Sequence, residues 1–402
     1  MKIAILSQSY PPMISGAALF SCHLAEYLAD RGHEVLVMAA SNQRKPYCQQ
    51  RGNLKIVRMR SYSNPLRVGQ RFLLWPAIEV RTALNEFTPD VIHLNDPFQL
   101  SNFALTYAHQ AGIPCILTIH ALPNLVSVLA PDIPGIQQLI EKMLWEYASW
   151  LIRQFDVEIT PTATISKIVS ERTGMQSHVI SGGVDLQIFH PDPLPLTHEA
   201  QLRTKLGVLP DSKIILHVGR LDGDKNVKMI IRVVASIINR DFSKKIDLVV
   251  VGDGREKQNL IQLAESLGLV ERCHFTGYVI DPILLSNIYR LADVFVMASE
   301  VETQGLVLLE AAACGLPIVA VNATAVHEIV TDGVNGFLVS PRDEVLFAKR
   351  VELVLRDPVI SSNFGSASRQ ASLIHDFNRT VDAYEACYLS ITNNRQFKLG
   401  SE

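Results

Sequence analysis

Short apolar segments alternate with amphipathic segments along most of the chain. The first apolar segment, KIAIL at residues 2–6, is followed by a stretch in which Phe20, Leu24 and Leu28 recur at helical spacing. A second series of the same kind begins with KIILHV at residues 213–218. Parallel strands joined by helices are covered on both faces of their sheet, so such strands are apolar throughout. The alternation therefore predicts an α/β protein with two doubly wound, Rossmann-like domains.

A polar segment separates the two series. FHPDPLPLTHEAQ at residues 189–201 contains three prolines and few apolar positions, which is typical of a linker. It divides the chain into an N-terminal domain at 1–188 and a C-terminal domain at 202–375. A last helix at 376–392 is expected to cross back onto the N-terminal domain, and residues 393–402 are expected to form a disordered tail. Ligands of such sheets bind beyond the carboxyl ends of the strands, so we expect the domains to face each other across a cleft.

Composition excludes several classes of protein. The 402 residues include 48% hydrophobic and 19% charged ones, which provides ample core for two domains. A formal net charge of −3 argues against a general nucleic-acid binder. The six cysteines show no CxxC pair and mostly lie in apolar runs, which indicates buried thiols in the cytoplasm. The most apolar window, 306–326, is interrupted by Cys-Gly-Leu-Pro and is not expected to span a membrane.

Candidate chemistry is concentrated in ETQGLVLLE at residues 302–310. Gly305 precedes a strongly helix-forming run, which places Glu302 on the loop before a helix and Glu310 inside that helix. The amides around Gly305 and Leu306 form an anion site, and glycine lets a phosphate approach the backbone closely. The order acid, anion site, acid matches the sugar hydroxyls, diphosphate and ribose hydroxyls of a nucleotide sugar. A solvated loop followed by a core helix explains this segment equally well when it is considered alone.

Other strand ends of the C-terminal half carry further candidates. VGRLDGDKN at 218–226 supplies Arg220 and Lys225, whose side chains are suited to a diphosphate. Asp222 and Asp224 of the same segment flank a tight turn without a third acidic group, which argues against a divalent metal. VVVGDG and FTGYV end two other strands. Tight packing of a strand against the next helix is the alternative for the glycines of VVVGDG. The backbone of FTGYV is suited to a base edge, but we favour a plain loop there. The candidates in these segments, besides the two cations, are Gly219, Gly252, Tyr278 and Val279.

The N-terminal half offers two strand-end candidates. Gly16 in SYPPMISGAA stands at the entry to the first helix, where a phosphate or sugar can approach the backbone. His120 in TIHALP follows a strand, at the edge of the sheet where ligands are bound. A histidine that is simply hydrogen-bonded in place is the alternative for that position.

One region of the N-terminal half is strongly basic. Residues 44–81 contain nine Arg or Lys residues and a single acid, Glu79. Within this region, RVGQRFLLWP at 67–76 combines Arg67 and Arg71 with large apolar side chains. Basic charge beside aromatic bulk suits an anionic membrane surface. A helix that packs its apolar side inward and leaves its arginines in water is the equal alternative.

Taken together, these segments resemble family 4 of the nucleotide-sugar glycosyltransferases, which have the two-domain GT-B fold. The resemblance covers nearly the whole chain. It is carried by SYPPMISG, LADRGHEV, PDVIHLNDPF, TIHALP, SGGVDLQIF, VGRLDGDKN, VVVGDG, FTGYV and the E-x7-E segment SEVETQGLVLLEAAACGLPIVA. It implies a hexosyltransferase that retains the anomeric configuration, needs no metal or other cofactor, and uses a donor such as UDP-glucose or GDP-mannose.

The resemblance also implies roles for individual residues. Glu302 would hold hydroxyls of the donor sugar, and Glu310 would hold the ribose. His120 would line the reaction centre, and Gly16 would contact the donor or its phosphates from the N-terminal domain. The implied diphosphate contacts are the amides of Gly305 and Leu306 and the side chains of Arg220 and Lys225, with Thr303 and Gln304 completing the donor-binding loop.

Two departures from the family pattern concern the ligands. Ser15 precedes Gly16 where the family often has a second glycine, and Gln304 stands where an aromatic residue is common. ETQG together with PDVIHLNDPFQLSNFAL is most similar to members that glycosylate membrane lipids such as diacylglycerol. We therefore expect a lipid hydroxyl as acceptor and a peripheral position on the inner face of the cell membrane. The alternatives are a soluble or polysaccharide acceptor, a GT-B nucleotide-sugar epimerase, and a non-catalytic sugar-binding module.

Overall fold

A computed structural model describes the backbone of residues 1–13, 15–64, 71–96, 99–123, 136–240 and 245–399. The chain divides into two compact units. Unit 1 comprises Met1–Ser181 and the chain from Thr380 onward, and unit 2 comprises Gly182–Arg379. Each unit is built around its own mostly parallel sheet, with helices on both faces. Within the described residues, no helix is long and apolar enough to cross a membrane.

Unit 1 contains ten described strands. They are β1 (Lys2–Leu6), β2 (Glu34–Ala40), β3 (Tyr47–Arg51), β4 (Leu54–Met59), β5 (Tyr62–Ser63), β6 (Arg71–Phe72), β7 (Val91–Leu94), β8 (Cys115–Thr118), β9 (Val157–Thr160) and β10 (His178–Val179). Eight of them form one sheet in the order β10-β9-β8-β7-β1-β2-β4-β3, and β5 pairs with β6 separately. Only the edge strand β3 runs antiparallel in the eight-stranded sheet. The central strands are buried over their whole length because both faces are covered.

Helices connect the strands of unit 1. The described helices are α1 (Gly16–Asp30), α2 (Ala77–Phe87), α3 (Gln99–Ala111), α4 (Ile136–Ile152) and α5 (Ala163–Thr173). On one face of the sheet, alternate residues such as Leu6 and Leu94 form a core with apolar side chains that include Leu84 and Trp145. The other face contacts the C-terminal helix, through Tyr384 and Tyr388.

Unit 2 repeats the same plan with a smaller sheet. Its strands are β11 (Lys213–Val218), β12 (Ile246–Val251), β13 (Cys273–Gly277), β14 (Val294–Met297), β15 (Ile318–Val321) and β16 (Gly336–Val339), in the order β13-β12-β11-β14-β15-β16. All these pairings are parallel. The helices are α6 (Leu196–Leu206), α7 (Val227–Arg240), α8 (Lys257–Ser266), α9 (Pro282–Leu291), α10 (Leu306–Ala313), α11 (Glu344–Arg356) and α12 (Pro358–Ser372), and α13 (Phe377–Leu399) begins at the end of the unit.

Each sheet reverses its winding direction once. In unit 1 the chain leaves β1 toward β2 on one side, and β7 lies on the other side. In unit 2 it leaves β11 toward β12, and β14 lies on the other side. The two loops that follow such a pair of strands diverge, which opens a crevice at the carboxyl ends of the strands. The two switch points are therefore where ligand-binding residues are expected.

Two segments differ from the sequence predictions. Helix α6 occupies Leu196–Leu206, inside and beyond the predicted linker, and is stabilised by an Arg203–Glu199 ion pair of 3.0 Å and a left-handed Gly207 at its end. Pro195 immediately before it is a helix-start signal that resembles a linker in composition. Helix α13 continues to Leu399, through most of the segment that we predicted to be a disordered tail.

Candidate active site

At the switch point of unit 2, the loops that follow β11 and β14 bring Lys225 and Glu302 together. Lys225 lies in a 3₁₀ turn at Gly223–Lys225, and Glu302 lies between β14 and α10. The Lys225 Nζ is 2.6 Å from Glu302 Oε1 and 3.5 Å from the Ser299 hydroxyl oxygen. The side chains of Lys225 and Glu302 are only 15% and 12% exposed, so water weakens their ion pair little.

Arg220 is the second cation at this switch point. It donates to Asp222 and, at 3.1 Å, to Asp224 Oδ2, so both acids of the DGD turn contact its guanidinium. This arrangement orients the guanidinium and gives the two acids a structural partner. Within the described residues, no group of three or more histidine, cysteine or carboxylate side chains is placed to hold a metal ion. We call Arg220, Lys225 and Glu302 the cation–glutamate cluster.

Helix α10 begins beside this cluster. Its N-cap, Gly305, has φ of 82°, a left-handed conformation that glycine adopts without steric cost. A Cβ on Gly305 would lie 2.9 Å from Leu308 Cδ1, so any larger residue would also crowd the first turn. The first amides of a helix have no partner inside it, and those of Leu306 and Val307 open α10. The open first turn of α10, where we predicted an anion site, thus follows Glu302 closely in the chain.

The side chain of Gln304 points into the protein. Gln304 is 3% exposed, and its Oε1 accepts a hydrogen bond of 2.8 Å from the Gly182 amide. A Cβ on Gly182 would lie 2.7 Å from the same oxygen and 3.0 Å from Leu306 Cδ2. The structure therefore places this side chain as a support for the loop before α10, whereas its backbone and that of the half-buried Thr303 form the loop itself.

Glu310 lies one turn inside α10 and has a different environment from Glu302. The Tyr289 hydroxyl donates to Glu310 Oε2 at 2.8 Å. Burial raises the pKa of Glu310 to about 7, and the Tyr289 hydrogen bond offsets part of that shift. Tyr278 lies near this carboxylate, and burial together with the Glu310 charge raises the pKa of the Tyr278 hydroxyl. Tyr278, on the loop after β13, and Glu310, in α10, are thus brought together.

The glycines after β11 and β12 allow close packing of two loops. A Cβ on Gly252, whose φ is 142°, would lie 1.8 Å from the Gly219 carbonyl oxygen. The Gly252 amide donates to the Gly277 carbonyl at 2.9 Å, and Gly219 donates to Val251 at 3.0 Å. These contacts account for Gly252 as a packing residue. Val279, after β13, is half-buried and packs against the core of unit 2.

At the switch point of unit 1, Gly16 is the first residue of α1. Ser15 is the N-cap of this helix, and its hydroxyl accepts a hydrogen bond of 3.1 Å from the Ala18 amide. The serine that departs from the family pattern therefore caps the helix at which we predicted donor contact.

His120 lies two residues beyond β8 and contacts the end of β7. Its Nε2 is 3.2 Å from Asn95 Oδ1, and its ring centroid is 4.9 Å from that of Phe20. Burial lowers the pKa of His120 to about 4, so the imidazole is neutral at physiological pH. The Asn95 oxygen can only accept, so Nε2 of His120 carries the proton in this pair. We call Asn95, His120 and Phe20 the strand-end histidine cluster.

The structure adds three residues that we did not single out from the sequence. Asn95 is 2% exposed, and its Nδ2 forms no hydrogen bond with the described residues. Tyr289 orients Glu310, and His217 lies buried close to Lys225, whose charge helps burial lower the His217 pKa to about 4. Asn95 stands in the segment PDVIHLNDPF, so a polar residue directly after a buried strand was a usable signal. Tyr289 and His217 lie inside a helix and a strand, where the sequence offers no such signal.

Comparisons with known proteins match this architecture. Residues 14–188 match the family described as Glycosyltransferase Family 4, and residues 199–371 match Glycosyl transferases group 1. The chain is 30% identical over 374 residues to an uncharacterized glycosyltransferase, MJ1607, of Methanocaldococcus jannaschii, covering 89% of this chain and 90% of that protein. It is 26% identical over 410 residues to the alpha-monoglucosyldiacylglycerol synthase of Streptococcus pneumoniae, covering 100% of this chain and 89% of the synthase.

A solved structure shows the same fold. Anabaena Alr3699/HepE, determined in complex with UDP and glucose, superposes with a TM-score of 0.76 at 21% identity, covering 97% of this chain and 100% of that protein. This chain therefore shares with solved GT-B structures a fold of two Rossmann-like units, each built on a parallel sheet.

Proposed function

This chain belongs to glycosyltransferase family 4 and is a hexosyltransferase with the GT-B fold; we propose that it transfers a hexose from a nucleoside diphosphate sugar to a membrane-lipid hydroxyl with retention of configuration. The observation that carries this proposal is the 2.6 Å contact between Lys225 and Glu302 beside the open end of α10. In this proposal Glu302 binds the sugar and Lys225 binds a phosphate. The two side chains lie next to each other, as they must to contact a hexose and the diphosphate bonded to it.

The first step of the proposal is binding of the diphosphate. The amides at the start of α10, Arg220 and Lys225 provide directed donors and positive charge for the phosphate oxygens. Charge accumulates on those oxygens as the nucleotide leaves, so the same groups stabilise the transition state more than the bound donor. Each charged hydrogen bond contributes about 1.5–3 kcal/mol. Arg220 and Lys225 supply the positive charge, so no metal or other cofactor is part of the proposal.

The two glutamates bind opposite ends of the donor. Glu302 accepts hydrogen bonds from hydroxyls of the transferred hexose, and Glu310 accepts them from the ribose. Glu310 is held by Tyr289, which fixes the carboxylate in one orientation. Tyr278 and Val279 follow β13 near Glu310, where their backbone is suited to the base. The complex of Anabaena Alr3699/HepE with UDP and glucose supports a uridine nucleotide as the donor.

The transfer step breaks the bond between the hexose C1 and the diphosphate oxygen. The acceptor oxygen attacks the same face of C1 from which the diphosphate leaves, and its proton passes to an oxygen of the departing diphosphate. This route needs no enzyme nucleophile, and the neutral His120 adds no charge to the positive sugar that develops. Gly16 and His120 belong to unit 1, and we propose that they contact the donor and the transferred hexose.

A lipid acceptor is supported by the name of a relative that aligns with the whole chain. The alpha-monoglucosyldiacylglycerol synthase of Streptococcus pneumoniae, by its name, forms a glucosylated diacylglycerol, and it aligns with the whole of this chain. We propose diacylglycerol or a related lipid hydroxyl as acceptor, on the inner face of the cell membrane. The proposed transfer would then be a step of glycolipid synthesis by a membrane-associated enzyme.

Two measurements test the function. Thermal stabilisation by a panel of UDP-, GDP- and ADP-sugars identifies the donor, because a ligand that binds the folded state raises its melting temperature. The selected donor is then incubated with diacylglycerol vesicles, with glycogen, and without acceptor, with and without EDTA. We expect an α-linked glycolipid from an α-linked donor, unaffected by EDTA. A glycogen product, an isomerised donor without acceptor, or a covalent hexosyl adduct on the enzyme would each contradict part of the proposal.

A further inference from the structure

Seven large apolar side chains of unit 1 are exposed on neighbouring elements. Their exposed fractions run from 37% for Tyr147 to 77% for Ile78. Isolated exposed apolar residues are common on any protein, but a group that joins several elements marks an interaction surface. The set, called the aromatic surface below, is Leu74, Trp75, Ile78, Leu139, Met143, Tyr147 and Trp150.

Four of these side chains form one face of α4. Leu139, Met143, Tyr147 and Trp150 follow each other at spacings of four, four and three residues, which places them along a single stripe of the helix. A different side of α4 already packs into the core of unit 1 through Trp145. The exposed stripe is therefore additional to the face that the fold uses.

Helix α3 joins this stripe to the segment before α2. The Asn102 Nδ2 donates to the Tyr147 hydroxyl at 3.2 Å. The next residue, Phe103, lies 4.9 Å from the Trp75 ring in an edge-to-face arrangement. Tyr147 and Trp150 are themselves 5.8 Å apart between ring centroids. The aromatic surface is thus continuous across three elements of one unit.

Two exposed cations, Arg44 and Arg81, lie beside this surface, and neither forms an ion pair with an acid of the described residues. Arg81 lies one turn after Ile78 on α2, on the same side of the helix. Arg44 contacts the Tyr62 ring, and Tyr62 contacts Phe72 at 5.9 Å, shortly before Leu74.

The two acids of α4 near the stripe are matched by cations. Glu141 and Glu146 of α4 lie 3.8 and 3.9 Å from Arg172 and Lys142 respectively. Glu79 of α2 is the nearby exposed acid without such a partner among the described residues, and it stands beside the unpaired Arg81 on the same helix. The border of the aromatic surface therefore carries a surplus of positive charge.

We propose that the aromatic surface docks onto an anionic lipid bilayer; this inference rests on the proposed lipid acceptor. Trp and Tyr place apolar rings in the acyl region and polar atoms at the headgroups, and bordering cations are attracted by anionic lipids. The region that the sequence predicted to contact a membrane, 44–81, supplies the cations and one part of the apolar side chains, and its residues 65–70, with Arg67, lie outside the described residues. Leu139, Met143 and Trp150 lie outside it and reach the same surface only through the fold.

Tryptophan fluorescence tests the proposal directly. The chain has three tryptophans: Trp75 and Trp150 are 74% and 57% exposed, and Trp145 is 7% exposed. In a Trp75→Phe variant, Trp150 is the remaining exposed reporter. We expect a blue shift with equimolar phosphatidylcholine–phosphatidylglycerol vesicles and quenching by brominated lipid in those vesicles. An unchanged spectrum from enzyme that still co-floats with the vesicles would overturn the assignment to this surface.

Flotation with matched variants tests the stripe. The triple variant Leu139→Ser, Met143→Ser, Trp150→Ser removes most of the exposed face of α4. We expect its vesicle partition coefficient to fall by about tenfold or more, since burying one large apolar side chain contributes about that factor. The double variant Ile280→Ser, Ile283→Ser is the control, because these residues of unit 2 are 82% and 63% exposed. Unchanged melting temperatures establish that both variants are folded.

The acceptor used in the activity assay separates this inference from the function. With water-soluble short-chain diacylglycerol, the triple variant should be as active as wild type, whereas its transfer to bilayer diacylglycerol should fall. Wild-type-like flotation of the triple variant, with transfer to either lipid intact, would overturn the surface and leave the function standing. Failure of the wild type to glycosylate any lipid would overturn the function. Self-association in sedimentation that the triple variant loses, without vesicle binding, would assign the surface to a second copy of the chain.

Discussion

The two units reverse their sheets in the same way, yet their switch points carry different chemistry. In unit 2 the crevice after β11 and β14 contains the ion pair of Lys225 with Glu302 at 2.6 Å and, on the same loop as Lys225, Arg220 paired with Asp224 at 3.1 Å. In unit 1 the crevice after β1 and β7 lies beside Asn95, His120 and the ring of Phe20. The fold sets where a ligand can lie, and the side chains after the strands set which part of a ligand can lie there.

Burial explains how the two histidines at this end of unit 1 stay uncharged. His93 on β7 is buried between the Tyr388 hydroxyl at 2.8 Å and the Thr118 hydroxyl at 2.7 Å. Burial, helped by the nearby His120, lowers its pKa to about 3. The helix α13 supplies Tyr388 and also Tyr384, whose ring lies 5.6 Å from Phe20. Neutral imidazoles and aromatic rings suit sugar carbons, whereas the charged side chains of the unit 2 crevice suit the diphosphate. The comparison therefore predicts that charge changes in the two crevices have different effects.

The largest expected effect comes from removing the acid of the cation–glutamate cluster. Glu302→Ala should lower kcat by about a thousandfold, because hydroxyl contacts that hold the hexose in the transition state are lost. Binding of free nucleoside diphosphate should be spared or slightly improved, since Lys225 loses the carboxylate that competes for it. Transfer kinetics and calorimetric titration measure the two quantities.

The control for that change is Glu300→Ala, two residues earlier. Glu300 has a side chain that is 42% exposed and lies 4.0 Å from Arg342, far enough for a weak surface pair. It should behave as wild type in both assays. A Glu302→Ala enzyme that keeps its kcat but binds the free nucleoside diphosphate more weakly would reverse the assignment of the two glutamates.

The next largest effect concerns the cation itself. Lys225→Met should weaken binding of the nucleoside diphosphate by about ten- to a hundredfold, because one charged hydrogen bond to phosphate is removed and Glu302 is left without its cation. Lys228→Met, three residues later, is a matched control whose ammonium pairs with Glu256 instead. Equal loss in both variants, measured by titration, would show that general charge rather than this site binds the nucleotide.

A smaller and more specific effect is expected when a charge is placed beside the neutral His120 of unit 1. Asn95→Asp places a carboxylate beside His120 and should raise the histidine pKa from about 4 toward the neutral range. Transfer should then fall by about tenfold below that pKa, where the imidazole is charged, and recover at higher pH. The pH profile of kcat is the measurement, with Asn95→Ser as the uncharged control. A uniform loss at every pH in Asn95→Asp would indicate packing damage instead.

Much of this comparison was predictable from the sequence. Continuous apolar runs that alternate with amphipathic helical segments predicted two Rossmann-like domains. Parallel strands that are buried on both faces have such continuous apolar sequences. Gly305 and the helix-forming run after it predicted an open helix end between two acids, and the structure begins α10 at Leu306. These features depend on local propensity, which adjacent residues determine.

Long-range contacts were the part that the sequence could not show. The Gln304 side chain supports Gly182, more than a hundred residues away in the chain, and Tyr289 orients Glu310 from another helix. The aromatic surface has the same character, since Trp75 and Trp150 become parts of one surface only when α3 packs between their segments. Composition is also ambiguous between a proline-rich linker and the start of a helix, which is why α6 was missed.

The last prediction separates two buried acids, one in each unit. Burial raises the pKa of both Glu158, on β9, and Glu310 to about 7 from 4.5. An acid whose pKa is higher in the folded state stabilises that state below pH 4.5, and this contribution is lost as pH rises through 7. The free energy of unfolding should therefore fall from pH 5 to 8, by at most about 3 kcal/mol for each acid. Glu158→Gln and Glu310→Gln should each remove part of this decrease.

Nucleotide binding distinguishes the two acids where stability does not. Glu310 accepts hydroxyl hydrogen bonds best when it is ionised, so nucleotide affinity of the wild type should rise about three- to tenfold from pH 6 to 8. Titration of the nucleotide phosphates contributes equally in every variant, so the comparison between variants isolates the carboxylate. Glu310→Gln should lose the carboxylate-dependent rise, and Glu158→Gln should keep it, because Glu158 belongs to the core of unit 1. If the rise in nucleotide affinity survives in Glu310→Gln and disappears in Glu158→Gln, the assignment of Glu310 as the ribose-binding acid is wrong.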